Sequence, residues 1–180
     1  MVIYNLFLIV ALLFSFLLLF VITSAFFGFL LTKVPFVPTS AAEVEFIAKK
    51  LGISSLGVFY DLGSGDGKVC FIVNRITGAK CVGFELTWWT HLLAEMKLKV
   101  KYQNSNLKFK NQDFFKANWS EADYIYGYLY PMVMGKVEKK FLANCKLGSV
   151  AIIRDFPFPN LKPTKIYYMP RNHEVYIYKI

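Results

Sequence analysis

The chain has 180 residues, 21 Lys and Arg against 12 Asp and Glu, a formal net charge of +9 and 56% hydrophobic residues. That apolar share excludes a disordered polyelectrolyte and is too high for an ordinary soluble domain. The basic balance points to an anionic membrane face or to nucleic acid.

Met1 to Thr32 contains no Asp, Glu, Lys, Arg or His. Such a run is long enough to cross a bilayer, for which roughly 20 apolar helical residues suffice. A cleaved signal peptide is the rival reading. It would open on Lys or Arg, hold a shorter apolar core and end on small residues. No Lys or Arg precedes this run, so the expectation is an uncleaved single-pass anchor. Lys33, Lys49 and Lys50 follow with nothing to balance them on the other side. The positive-inside rule then places the remainder on the cytoplasmic or organelle-matrix side.

After the anchor, Pro35 and Pro38 favour extended chain. Thr39 or Ser40 can cap a helix starting near Ala41, and Ser40 with Glu43 fits a capping box. Val44, Ile47, Ala48 and Leu51 recur at helical spacing, and Gly52 stops the helix. Val58 to Leu62 reads as a buried strand, and Lys68 to Thr77 as a helix with Val69, Ile72, Val73 and Ile76 on one face. A second strand runs from Ala79 to Leu86, and Thr87 opens a helix reaching about Tyr102. A third strand ends near Gln112, a fourth covers Ala122 to Tyr130, and Met132 to Cys145 is helical with Val133, Val137 and Phe141 inward. "SVAIIRDF" is a fifth strand, and the last residues form a hairpin turning at Pro170 to Asn172. Strand alternating with helix predicts an α/β fold. It is a Rossmann-like, seven-stranded, mostly parallel sheet with helices on both faces and a C-terminal antiparallel hairpin.

Cys70, Cys81 and Cys145 are an odd number without metal-like spacing, each in an apolar stretch. They read as buried reduced thiols of a reducing compartment. His91 and His173 lie apart with no Cys or carboxylate cluster near them, so no metal site is expected. The densest basic stretch, Lys97 to Lys110, reads first as a solvated helix face and loop. Beyond that, a lipid-facing patch is favoured over nucleic-acid contact. No feature speaks to oligomeric state.

The chemistry centres on "DLGSGDG", Asp61 to Gly67, between the first strand and its helix. Gly63 permits a tight turn, Gly65 lets backbone approach a ligand, and Gly67 lets the helix start close to the strand. A dinucleotide loop would need one more residue between its glycines, and a Walker loop would need Gly-Lys-Ser/Thr. Asp61 before the loop and Asp66 inside it would repel a diphosphate. S-adenosylmethionine fits instead, because it has no phosphate and carries a positive sulfonium and ammonium. Glu85 ends the second strand, where an acid can hold ribose hydroxyls. Asp113 follows the third strand, where it can meet the adenine amine, with Phe114 to pack on the ring. The alternative leaves Glu85 and Asp113 as ordinary loop carboxylates.

With these residues in place, the sequence resembles the class I, seven-β-strand methyltransferases. "VPFVPTS", "DLGSGDGK", "GFEL", "LYPMVMGKVEKKF" and "DFPFPNLKP" further resemble the membrane-anchored protein-lysine methyltransferases. Mitochondrial members of that family modify the ADP/ATP translocase and the ATP synthase c-subunit. The resemblance covers about Val34 to Pro163 and implies methyl transfer to a lysine amine of a membrane protein. It implies that Pro35 to Ser40, Thr39 among them, help close the cofactor pocket, with Ser64 in the first motif. The division expected is an anchor over residues 1–32, a linker and N-terminal helix over residues 33–52, and a methyltransferase domain over residues 53–180.

After the fourth strand the chain reads "YLYP", with no Asn or Asp and a single proline. That disfavours methylation of a nucleobase or glutamine amide. It leaves aromatic walls and backbone carbonyls, or plain strand packing by the tyrosines. Tyr130, Pro131 and Asp155 are the candidates nearest the reacting groups, and no essential general base is expected. Two alternatives stay open: a methyltransferase of lipids or other membrane-soluble small molecules, and a non-catalytic domain that binds the cofactor or a partner.

Overall fold

The computed structural model describes residues 2–32, 39–103 and 106–180, and within its first helix the side chains of residues 4–23. Pro35 and Pro38, with the rest of the expected linker up to residue 38, lie outside the described residues. The chain divides into two compact units, Met1–Lys33 and Val34–Ile180.

The first unit is one helix, α1 (Val2–Thr32). Its stretch Tyr4–Thr23 is long and apolar enough to cross a membrane, and none of it is buried within the protein. The hydroxyls of Ser15 and Thr23 donate back to the carbonyls of Ala11 and Leu19, both at 2.9 Å. A helix in hydrocarbon needs its polar atoms satisfied internally in this way.

The second unit runs α2 (Ala41–Lys50), β1 (Val58–Leu62), α3 (Lys68–Thr77), β2 (Lys80–Glu85), α4 (Trp88–Lys97), β3 (Leu107–Asn111), β4 (Tyr124–Gly127), α5 (Pro131–Asn144), β5 (Val150–Arg154), β6 (Lys165–Met169) and β7 (His173–Lys179). The sheet order is β3-β2-β1-β4-β5-β7-β6. Strands β1 to β5 pair in parallel, and β7 lies antiparallel between β5 and β6. One sheet face packs Val44, Ile47 and Ala48 of α2, Val69 and Val73 of α3 and Ala94 of α4. The other packs Val137 and Phe141 of α5 around the buried Trp119. The apolar faces expected of α2 and α3 therefore point inward, with helices on both sides. The strand order reverses between β1 and β4, and in open α/β sheets ligands bind beyond the strand ends at such a switch.

Two of these expectations need correction. Strand β4 is shorter than Ala122 to Tyr130, because its pairing ends where Gly127 faces Leu62 and Ile153. Beyond it Tyr130 stays extended (φ −69°, ψ 145°) ahead of Pro131, which occupies the first turn of α5. Proline fits there, since the lost N–H has no helical acceptor. The Ser40–Glu43 capping box does not form: Ser40 caps α2 by position only, and Glu43 turns inward to Arg154 at 2.9 Å. The buried guanidinium draws the carboxylate away from the backbone by charge, without a hydrogen bond at Glu43 Oε2 among the described residues. The helix opened by Thr87 reaches Tyr102 as expected, α-helical through α4 and then a π-turn, Leu98–Tyr102.

The terminal hairpin turns at Pro170–Asn172 as expected, with Arg171 and Asn172 at positive φ. All three cysteines are free. Cys70 and Cys81 are buried, while Cys145 is only partly so. Burial pushes the Cys145 thiol up to about 12.

Candidate active site

The loop after β1 is stapled to the end of β2. The backbone N–H groups of Gly63 and Ser64 both donate to the Phe84 carbonyl at 2.9 Å. Gly67 has φ +81°, and a Cβ there would lie 2.5 Å from the Phe109 ring. Only glycine takes that backbone and leaves room for the ring. Glu85 ends β2, and its two carboxylate oxygens accept from Gly65 N–H at 2.9 Å and Thr87 N–H at 2.7 Å. One acid thus fixes the glycine loop and the entry to α4 together, and each oxygen keeps a free lone pair.

Asp61 is 2% exposed, and its only hydrogen-bond partner among the described residues is the Cys70 thiol at 3.8 Å. Burial, and then the neighbouring charges of Glu85 and Asp66, push its carboxyl up to about 8. Close by, the Ser64 hydroxyl is buried and without a partner among the described residues. A buried carboxylate with so weak a partner is costly, and a cation relieves that cost. The orphaned hydroxyl and the under-satisfied acid fit a ligand that is cationic and hydroxyl-bearing. Asp66, by contrast, is already paired: it binds Lys97 Nζ at 2.5 Å and accepts from Lys68 N–H at 3.3 Å. It contributes charge to the site but not an open carboxylate.

Asp113 accepts from Phe115 N–H at 2.8 Å and so caps the short turn Phe114–Lys116. Phe114 is half-buried and packs on Phe115, centroids 4.5 Å apart. Asn111, not singled out from the sequence, ties the ends of β3 and β2 through its side-chain amide, which donates to the carbonyls of Glu85 and Leu86.

Tyr126 of β4 stands opposite Asp61 in register, and its hydroxyl meets that of Thr39 at 3.1 Å in the interior. Burial pushes the phenol up from its ordinary value. Thr39 is thereby held over the β1–β4 end. Beside it, Arg154 is 4% exposed, pairs with Glu43 at 2.9 Å and lies 4.2 Å from the centre of the Tyr128 ring. Its Nη1 has no partner among the described residues, and its Nε is 3.7 Å from Asp155, too far for a hydrogen bond. Asp155, at φ +62°, takes the His173 ring nitrogen at 2.9 Å and Glu174 N–H at 3.0 Å. Both of its oxygens are thus engaged. Tyr130 is 43% exposed beside Pro131 and shares no hydrogen bond with Asp155 among the described residues.

The structure therefore ties Gly63, Ser64, Gly65, Gly67 and Glu85 into one hydrogen-bonded cluster, with Asp61 near the end of β1 bonded only to Cys70 among the described residues, Asp113 and Phe114 at the next strand end and Thr39 tied to Tyr126. Sequence reasoning misses Glu43, Tyr126 and Arg154. The signal for Arg154 is a lone charge inside the apolar run "VAIIRDF". No group of three or more His, Cys, Asp or Glu side chains gathers as a metal site would among the described residues.

Comparison with known proteins adds a family. A family model described as the ANTKMT methyltransferase domain matches residues 61–165. The chain is similar to the ATP synthase c-subunit lysine N-methyltransferase of Xenopus laevis, 28% identical over 133 residues, 74% of this chain and 58% of that protein. It is also similar to adenine nucleotide translocase lysine N-methyltransferase of Mus musculus, 26% identical over 134 residues, 74% of this chain and 58% of that protein. The chain thus matches little more than half the length of these two relatives. Among solved structures it is similar to an RNA methyltransferase from Salinibacter ruber in complex with S-adenosyl-L-homocysteine. The TM-score is 0.76 and the identity 28%, covering 80% of this chain and 94% of that one.

Proposed function

The chain belongs to the family of the ANTKMT methyltransferase domain, and from that premise we propose that it methylates lysine side chains of a membrane protein, using S-adenosylmethionine. The observation that carries the reading is Asp61, a buried carboxyl at the β1 end with a thiol as its only partner among the described residues. S-adenosylmethionine supplies a methyl group already activated by the positive sulfonium. Asp61 ionises against that charge. Gly63, Ser64, Gly65 and Gly67 let backbone and hydroxyl approach, Glu85 takes the ribose hydroxyls with its remaining lone pairs, and Asp113 and Phe114 hold the base. Thr39, pinned by Tyr126, closes the pocket from the α2 side.

The acceptor lies beyond β4 and β5, where Tyr128, Phe156 and Tyr130 offer aromatic walls to a lysine stem. The amine must be neutral to attack. A water-poor cleft disfavours the charged form and so lowers the pKa of an incoming ammonium. Asp155 is held by His173 and Glu174 and acts as a positioning group, so the proton passes to solvent without an essential base. Most of the rate gain then comes from alignment of the acceptor with the methyl group. Tyr130 and Pro131 shape the mouth.

Helix α1 serves as a single-pass anchor, with the catalytic domain on the cytoplasmic or organelle-matrix side. A second reading, methylation of a lipid or other membrane-soluble molecule, draws support from exposed Leu86, Trp88, Tyr130 and Met132 after the ends of β2 and β4. Incubating the full chain in its own membranes with methyl-labelled cofactor separates the two. Lysine transfer puts the label in methyllysine after acid hydrolysis of the delipidated protein. Label confined to the lipid extract selects the second reading, and label in RNA contradicts both.

A further inference from the structure

Helix α4 is built backwards for a surface helix. Its inward positions carry the small residues Thr90 and Ala94, both buried. Its outward face carries Trp88, Leu92, Leu93, Met96 and, in the π-turn that follows, Val100, with exposures from 41% at Leu93 to 81% at Val100. Trp88, Leu92, Met96 and Val100 recur every fourth residue, so they form one row. A surface helix normally places polar residues there, and a contiguous exposed apolar row marks an interaction site.

The surrounding chemistry selects the occupant. Lys99 and Lys101 are exposed at the C-terminal end of the row, and neither has an acidic partner among the described residues. The helix's one acid, Glu95, is half-buried. Apolar side chains with a tryptophan, bordered by lysines whose ammonium groups can reach outward, suit an interfacial helix on an anionic bilayer. A chain with a helix that can cross a membrane has such a surface within reach. We propose that the outward face of α4 lies in the headgroup layer of an anionic membrane. The inference rests on the anchored reading of α1 and not on methyl transfer. The same helix grips the glycine loop through Lys97 and Asp66, so bilayer docking would steady one wall of the cofactor site.

The chain's own tryptophans provide the test. Of the three, Trp88 and Trp89 lie on α4, Trp119 is 0% exposed in the core, and none lies in the apolar span. The full chain is reconstituted into vesicles of phosphatidylcholine and phosphatidylglycerol, with or without bromine on the acyl chains. Docking predicts a roughly twofold or greater loss of emission in brominated vesicles. The loss should vanish in the Trp88→Phe/Trp89→Phe variant, and Leu92→Glu/Met96→Glu, which keeps every tryptophan, should abolish it too. Vesicle flotation reads the anchor separately. A chain that floats with unquenched emission overturns the proposal, and so does one that fails to float. Unquenched emission with self-association lost in Leu92→Glu would assign the face to a second copy and overturn it as well. Equal quenching without phosphatidylglycerol would remove the anionic requirement.

Discussion

The two halves of the sheet handle charge differently. On the β1–β3 side Glu85 is held by the backbone of Gly65 and Thr87 and Asp113 by that of Phe115, Asp61 has only a thiol, and Asp66 alone of these four is ion-paired, to Lys97. On the β4–β7 side the carboxylates meet other side chains: Glu43 the Arg154 guanidinium, and Asp155 the His173 ring nitrogen together with the Glu174 N–H. Backbone donors leave negative charge uncancelled, which suits a cationic ligand. Ion pairs cancel it, which suits a rigid wall. The proposed cofactor site falls on the first half, and the contacts of the second tie α2 and the hairpin to the β5 end.

Breaking the wall should cost the most. Arg154→Met leaves Glu43 buried and unpaired and should destabilise the full chain by about 3–5 kcal/mol, read by denaturant unfolding. The double variant Glu43→Met/Arg154→Met should recover most of that loss. If it does not, the pair is not the source. On the binding side, Gly67→Ala forces a positive φ and a clash with Phe109, at about 2–3 kcal/mol in the same measurement.

Next in size is a pH effect specific to the binding half. Asp61 stays protonated in the free protein below about pH 8, and a cationic ligand favours its ionised form. Affinity for S-adenosylmethionine should therefore rise between pH 6 and pH 8, by up to about tenfold per unit, and then level off. Calorimetry in buffers of different ionisation enthalpy should record proton release. The sign for stability is opposite: this raised carboxyl makes the free protein less stable as pH climbs from the ordinary carboxylate range through about 8. The smallest effect belongs to Asp155→Ala. Its engaged oxygens predict a fall in kcat of less than about tenfold, whereas loss of a true general base costs about 100-fold or more.

The same division explains what is legible in the sequence. Asp61, the glycines, Glu85 and Asp113 occupy strand ends and adjoining turns, so local pattern places them on their elements, and alternation of strand and helix predicts the sheet. Glu43, Arg154, Tyr126 and Thr39 come together only through tertiary packing, and no local rule pairs residues so far apart. The capping-box reading of Glu43 fails for that reason, since the competing guanidinium arrives with β5. Strand β4 reads too long because "GYLYP" keeps a strand-like composition after its neighbours have ended. Asp66 reads as an open acid because Lys97, which neutralises it, sits on another helix.

On the proposed function, Asp61, buried and under-satisfied at the β1 end, recognises the cationic cofactor. Titrating S-adenosylmethionine into the full chain and into Asp61→Asn, with the unfolding midpoint of each, tests it most directly. Asp61→Asn should bind at least about 100-fold more weakly, ~2.7 kcal/mol, with a midpoint unchanged or higher, because the substitution removes a costly buried acid. Native affinity in Asp61→Asn would contradict it.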